Sequence, residues 1–320
     1  MDEFIALMNR YGAEKVPFLF IIDFDMKYPE IYKLDEVPDG LKFVTPLHSN
    51  VSLVKQLSGP VSLKRYPVSY SAYSNAFVNV HKNICMGNSY LLNLTFTTLI
   101  ETELTLEEIF YTSIAKYKLL YNNKFVVFSP EIFVRINNGQ IKAFPMKGTI
   151  DSSVPDAENV ILNDEKEAAE HNTIIDLIRN DLSKIADGVK VTRYRYIERI
   201  KSGSTELLQV SSEISGRLSE GYEYNFGDIL KEMLPAGSVT GAPKKETVRI
   251  IKESENYDRG WYTGIFGVFD GKDLDSAVMI RFIEKSDGQM LFKSGGGITY
   301  LSDPVKEYEE LISKVYVPIG

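Results

Sequence analysis

The sequence predicts an α+β fold built around antiparallel sheet. Strand-like and helical runs come in blocks rather than in strict alternation, the order of α+β folds and not of parallel α/β folds. Two pairs of strand-like runs are joined by turn chemistry, Asn137-Asn138-Gly139 and Ser286-Asp287-Gly288, and such hairpins pair their strands antiparallel. With 320 residues, 44% of them hydrophobic and 25% charged, the chain matches ordinary globular composition and can build a core without cross-links.

Strand signals lie over Pro17–Asp23, Tyr90–Ile100, Lys124–Phe128, Glu131–Ile136, Ile141–Pro145, Gly264–Phe269, Ala277–Glu284 and Gln289–Phe292. These runs are rich in β-branched and aromatic residues and are bounded by turn formers. Asn75–Gly87 and Thr105–Leu120 are amphipathic and read as helices. Asp164–Ala186 places Ile174, Ile175, Leu177, Ile178, Leu182 and Ile185 at helical spacing. Asp303-Pro304 opens a last helix, with Asp as cap and Pro at the first helical position. No repeat, low-complexity tract or linker divides the chain, so one domain over residues 1–320 is expected.

A net charge of −8 argues against nucleic acid, whose phosphates need clustered Lys and Arg. The densest basic stretch, Arg193, Arg195, Arg199 and Lys201, reads as a solvated strand face. No run approaches the roughly 20 apolar residues of a membrane span, and the acidic start MDEFIALMNR is no secretory signal. The lone Cys85 cannot form an internal disulfide, which fits a reducing cytoplasm. It falls in a helical pattern and reads as a small buried apolar residue.

Four patterns carry possible chemistry. Glu167 and Glu170 sit three apart near the start of the long helix, as do Glu307 and Glu310 in the last one, so each pair projects from one side. They are either two solvated surfaces or, if the faces meet, the oxygen ligands of Mg²⁺. Leu234-Pro-Ala-Gly-Ser-Val-Thr-Gly-Ala-Pro243 leads into the helical run Lys244–Glu253; it is a capped turn or an anion site at a helix start. The run Ser294-Gly295-Gly296-Gly297-Ile298 permits close approach of a ligand or of another chain segment. In Pro145-Met-Lys147-Gly-Thr149 a lysine ends a strand. It is exposed and inert, or desolvated and nucleophilic.

Taken in order, these segments resemble the chorismate-binding enzyme family. The likeness rests on Phe128-Ser-Pro-Glu131, Pro145-Met-Lys147-Gly-Thr149, Glu170-His through Arg-Asn-Asp181-Leu and Pro235 to Lys244. It continues through Gly260-Trp-Tyr262-Thr-Gly, Arg281-Phe, Gly295-Gly-Gly-Ile298 and Ser302-Asp-Pro-Val-Lys-Glu-Tyr-Glu-Glu310. The resemblance runs from about Asn75 to the C-terminus, with residues 1–74 divergent and shortened. It implies a large antiparallel β-sandwich with helices packed outside. It also implies Mg²⁺ held by Glu170 and Glu310, with Glu167 and Glu307 on metal-bound waters. By position Tyr262 and Arg281 match the groups that hold the enolpyruvyl carboxylate, and the backbone of Gly241, Ala242 and Gly297 should approach the ring carboxylate. Thr149 is expected at the substrate. Lys314 matches a lysine near a substrate carboxylate, or else forms an i,i+4 ion pair with Glu310. Glu131 matches the general acid that protonates the departing C4 hydroxyl.

Lys147 separates the members of that family. Anthranilate and salicylate synthases carry alanine at its place, whereas the aminodeoxychorismate synthases carry lysine. The resemblance therefore implies amination of chorismate at C4, with Lys147 attacking C2 and ammonia then expelling it. Leu91 stands where water-adding members have a basic lysine, which argues against hydroxyl transfer. Leu91, Gln209 and Leu311 also depart from the residues usual in the aminating group. The expected partners are chorismate, ammonia, a separate glutamine amidotransferase subunit and a downstream aminodeoxychorismate lyase. The tryptophan-site segment of longer relatives is not found, and no tryptophan feedback is expected.

Overall fold

The computed structural model describes residues 1–52, 62–202 and 205–318; the side chain of Lys201, in the basic stretch above, lies outside the described ones. The chain opens with α1 (Asp2–Ala13) and strands β1 (Phe18–Ile22), β2 (Glu30–Lys33), β3 (Leu41–Val44) and β4 (Leu63–Tyr66). Helix α2 (Tyr70–Cys85) leads into β5 (Leu91–Thr102) and the short α3 (Leu106–Thr112). Then follow β6 (Tyr117–Tyr121), β7 (Phe125–Ser129), β8 (Ile132–Asn137), β9 (Gln140–Ala143) and β10 (Met146–Asp151). Helices α4 (Ala157–Leu162) and α5 (Glu165–Leu182) precede a long ribbon of β11 (Asp187–Ser202) and β12 (Thr205–Arg217). After α6 (Phe226–Met233), β13 (Gly241–Ala242) and α7 (Lys244–Ser254) come β14 (Ile265–Phe269), β15 (Leu274–Val278), β16 (Phe282–Ser286) and β17 (Gln289–Ile298). Helix α8 (Pro304–Ser313) is the last element.

The strands form two sheets. One runs β10-β12-β9-β8-β15-β14-β1-β2 with β11 also on β12, and the other runs β13-β5-β17-β16-β7-β6-β3 with β4 also on β5. Every described pairing is antiparallel. Leu19, Phe266 and Val268 of the first sheet pack against Phe43, Leu119, Val127 and Phe282 of the second. The outer face of the first sheet is covered by α1, α5 and α6 through Met8, Leu182 and Leu230. Helices α2, α7 and α8 cover part of the second through Val80, Ile250 and Leu311. Ile109 and Phe110 of α3 cover the rest. The expected sandwich with helices outside is the fold.

Local chemistry sets the helix starts that matter below. Asp164 accepts from the Glu167 amide at 2.9 Å, and Asp303 accepts from Val305 and Lys306 at 3.0 Å, each satisfying amides a helix start leaves open. Both expected hairpin turns are present, with Asn138, Gly139, Asp287 and Gly288 at positive φ.

Three expectations are corrected. The helix expected over Thr105–Leu120 ends at Thr112, because Tyr117–Tyr121 is buried on both faces as a strand between β7 and β3. Buried Lys118 donates to the carbonyls of Phe110 and Ser113, closing the helix end from the strand. The single run Ala277–Glu284 is two strands: β15 lies in the first sheet and β16 in the second. The chain crosses between them at Arg281, whose φ is +52°. Cys85 is exposed at the end of α2 rather than buried, with Sγ 3.6 Å from His81 Nδ1 one turn earlier. Among the described residues no helix is long and apolar enough to cross a membrane.

Phe266 is fully buried between the sheets. Phe266→Ala should lower unfolding free energy by about 3–5 kcal/mol in urea titrations followed by circular dichroism. A loss below about 1 kcal/mol would mean that the two sheets do not pack there.

Candidate active site

One edge of the sandwich opens into a cleft of about 540 Å³, a size that suits a small-molecule ligand. Lys147, Thr149, Glu131, Glu167, Glu170, Tyr262, Arg281, Gly297, Glu310 and Lys314 all line it. Residues spread over most of the sequence thus meet in one place. Glu307 is buried just behind, 3% exposed. Gly241 and Ala242 do not line the cleft. They pair with Leu92 and Leu91 of β5, and Gly241, at φ +128°, has no room for a Cβ, which would lie 1.9 Å from the Leu91 carbonyl oxygen.

Backbone irregularity aims Lys147. The register of β10 against β12 slips between Lys147, opposite Val210, and Thr149, opposite Gln209. Gly148 in the slip has φ +78°, the conformation glycine supplies in a bulge that re-aims a side chain. The Lys147 ammonium then reaches Glu170 Oε2 at 3.1 Å. The glycine run makes the opposite wall. Strand β17 continues through it, pairing Gly295, Gly296 and Gly297 with Thr95, Leu94 and Asn93. A Cβ on Gly295 would meet Thr95 Cγ2 at 2.5 Å, and one on Gly297 would meet Lys147 Nζ at 2.9 Å and Leu91 Cδ1 at 3.2 Å. The run therefore serves close approach both of a neighbouring strand and of the cleft's lysine.

The charges are paired lysine to glutamate. Glu170 Oε1 lies 3.7 Å from Lys166 Nζ, and the same ammonium is 2.8 Å from Glu307 Oε1. Lys314 Nζ holds Glu310 Oε1 at 2.7 Å, the i,i+4 pair the spacing allows, and also donates to the Gly295 carbonyl. Glu310 is the open one, its side chain 44% exposed. Burial works to lower the Lys147 pKa, but the Glu170 carboxylate outweighs it and holds the ammonium above its ordinary range. Burial, reinforced by neighbouring Glu170, pushes Glu167 up. Burial also pushes Glu131 up, against the Ser238 hydroxyl that donates to its Oε1 and the nearby Lys147 and Lys314. Arg281 donates to the Lys314 carbonyl and lies over the Tyr316 ring at 4.6 Å. Tyr262 is buried beside it in the cleft wall.

The donor set suits a hard divalent cation: carboxylates only, from two helices facing one cleft. Among the described residues no three acidic or imidazole side chains converge into a protein cage. Mg²⁺ needs none, since water and substrate oxygens complete its shell. Sequence reasoning missed Ser238 and Lys166. Ser238 sat unassigned inside the Pro235–Pro243 motif, and Lys166 carried no signal beyond an i,i+4 spacing to Glu170.

A sequence profile of the chorismate binding enzymes matches residues 44–320. A Pasteurella multocida protein described as uncharacterized and PabA-like is 49% identical over 322 residues, spanning 100% of this chain and 99% of its own length. Anthranilate synthase component 1 of Aquifex aeolicus is 38% identical over 195 residues, 58% of this chain and 38% of its own. Aminodeoxychorismate synthase component 1 of Bacillus subtilis is 29% identical over 265 residues, 78% of this chain and 55% of its own. The menaquinone-specific isochorismate synthase of Escherichia coli superposes with a TM-score of 0.71 at 15% identity, over 98% of this chain and 80% of its own. That last likeness concerns the fold.

His171, beside Glu170, is 1% exposed, with Nε2 2.7 Å from Ser212 Oγ. Burial, aided by Arg195 and Lys147, depresses its pKa from 6.5 to about 4. The folded chain therefore binds fewer protons than the unfolded one in that window. Its contribution to stability is full above pH 6.5 and is lost as pH falls toward 4, by at most about 1.4 kcal/mol per unit. Urea midpoints measured across this range should fall less steeply in His171→Asn than in the parent; equal slopes would contradict the assignment.

Proposed function

This chain belongs to the chorismate binding enzyme family, and from that premise we propose that it replaces the C4 hydroxyl of chorismate with an amino group taken from ammonia. The product would be 4-amino-4-deoxychorismate. The observation that carries this reading is the amine of Lys147, delivered by a bulge into the cleft between Glu170 and Gly297. A displaceable amine at that point is what covalent catalysis needs, because it splits one hard substitution into two easier ones.

Neutral Lys147 Nζ bonds to C2 of the ring, the C1–C2 double bond moves to C1–C6, the C5–C6 double bond moves to C4–C5, and the C4 hydroxyl departs as water with a proton from Glu131. Ammonia then bonds to C4, both double bonds return to their first positions, the lysine leaves C2 as the neutral amine, and the proton that the new ammonium sheds restores Glu131 to its acid form. Burial keeps a proton on Glu131 above the usual carboxylate range, as a general acid requires. Lys147 as found is an ammonium ion, and attack requires the neutral amine. Drawing Glu170 away removes the attraction that holds the proton, and burial then favours its loss. Arg281 and Tyr262 are the groups assigned to the enolpyruvyl carboxylate, with Lys314 near a second carboxylate. Magnesium held by Glu170 and Glu310, with Glu167 and Glu307 on its waters, would supply a Lewis acid for the ring carboxylate. Leu91 at the cleft's Gly297 wall offers no base to activate water. The inferred nitrogen source is a glutamine amidotransferase subunit in trans, and an aminodeoxychorismate lyase would consume the product.

A second reading is amination at C2 to give anthranilate, favoured by the Aquifex relative. Product analysis separates the two. With chorismate, Mg²⁺ and ¹⁵N-ammonium at raised pH, the isolated chain should form ¹⁵N-labelled aminodeoxychorismate, which added lyase converts to 4-aminobenzoate. Lys147→Ala should cut the rate by roughly a hundredfold or more, and Glu131→Gln by roughly 10²–10⁴-fold. Anthranilate fluorescence without lyase, or full turnover in Lys147→Ala, would overturn the proposal.

A further inference from the structure

Lys166 has no part in the chemistry above, yet its ammonium sits between two of the buried carboxylates beside the cleft. Its ammonium touches two carboxylates from different helices, Glu307 Oε1 of α8 at 2.8 Å and Glu170 Oε1 of α5 at 3.7 Å. The carboxylate side chains are 2% and 7% exposed, whereas that of Lys166 is 36% exposed. The two acids are thus sealed from water while the lysine reaches in from it. Among the described residues this is the single hydrogen bond or ion pair joining α5 to α8. The other two ammoniums do different work: Lys147 ties β10 to α5, and Lys314 ties Glu310 of α8 to the Gly295 carbonyl of β17.

We propose that Lys166 is a resident counter-cation that holds Glu170 and Glu307 together in the metal-free protein and is displaced when a divalent ion binds. Two carboxylates buried side by side repel unless a cation lies between them. Lys166 meets that need from a flexible four-carbon stem whose partly exposed end can swing back to water. Exchanging one ammonium for one divalent ion, among Glu167, Glu170, Glu307 and Glu310 with Lys147 and Lys314 still in place, leaves the cluster formally neutral. Lys166 therefore weakens ion binding by competing for the same oxygens, and it keeps the two helices in register until the ion arrives.

The inference rests on the proposed divalent-ion site, and its test separates the two. Mn²⁺ is titrated into the parent chain, Lys166→Met and Lys166→Gln, with free ion read by electron paramagnetic resonance. Melting temperature is read in EDTA and again with saturating Mn²⁺. Both variants should bind Mn²⁺ about tenfold more tightly, melt about 2–4 °C lower in EDTA, and recover that difference with Mn²⁺. Variants that bind Mn²⁺ no more tightly than a binding-competent parent overturn the role of Lys166 alone. A parent chain that binds no Mn²⁺ overturns the ion site itself and this inference with it.

Discussion

Four glutamates and three lysines share one edge of the sandwich, and burial makes a cationic partner obligatory for Glu170 and Glu307. A carboxylate taken out of water without a partner costs several kcal/mol, and Glu170 and Glu307 are both almost fully enclosed. The structure meets this with ammonium groups from three elements, Lys147 on β10, Lys166 on α5 and Lys314 at the end of α8. Such a site is poised for exchange. An entering cation can take the oxygens that lysines hold, and a substrate with several carboxylates can take the lysines so released. Resting stability and substrate capture then draw on the same set of charges.

That cluster exists because the backbone breaks regularity at a few places. Gly148 puts a bulge beside Lys147, without which the alternation of the strand would decide where the amine points. Glycines in β17 leave the space that Lys147 and Thr95 occupy. Arg281 sits where the chain passes from one sheet to the other, at a positive φ, so a crossing between layers delivers a guanidinium to the cleft. Helix caps at Asp164 and Asp303 fix where α5 and α8 begin, and hence which turn of each carries its glutamates.

Much of this was legible in the sequence where the signal is local. The Asp303 cap, both hairpins and the periodicity of α5 depend on neighbours within a few residues, and they read correctly. The errors fell where tertiary context decides. Tyr117–Tyr121 continues a helical pattern on paper but is claimed by β3 and β7 as a doubly buried strand. Ala277–Glu284 is one apolar run that serves two sheets, and nothing in its composition marks the crossing. Of the long ribbon, only the Arg193–Lys201 stretch of β11 was read, as a basic strand face, and β12 was not read as a strand. For the site, the glutamate spacing and the lysine beside a glycine were visible, but their meeting was not. Lys166 and Ser238 reach partners 141 and 107 residues away, a distance no spacing rule spans. Cys85 was judged by residue type, and its place at the exposed end of α2 reversed that judgement.

The proposed amination requires Lys147 to act as a nucleophile toward chorismate. The most direct measurement is the intact mass of the protein after acid quench of a reaction holding chorismate and Mg²⁺ but no ammonium, followed by peptide mapping. The expected gain equals chorismate less one water, carried by Lys147 and discharged when ammonium is added before the quench. A protein that aminates chorismate yet shows no such adduct, or bears it on another residue, would contradict it.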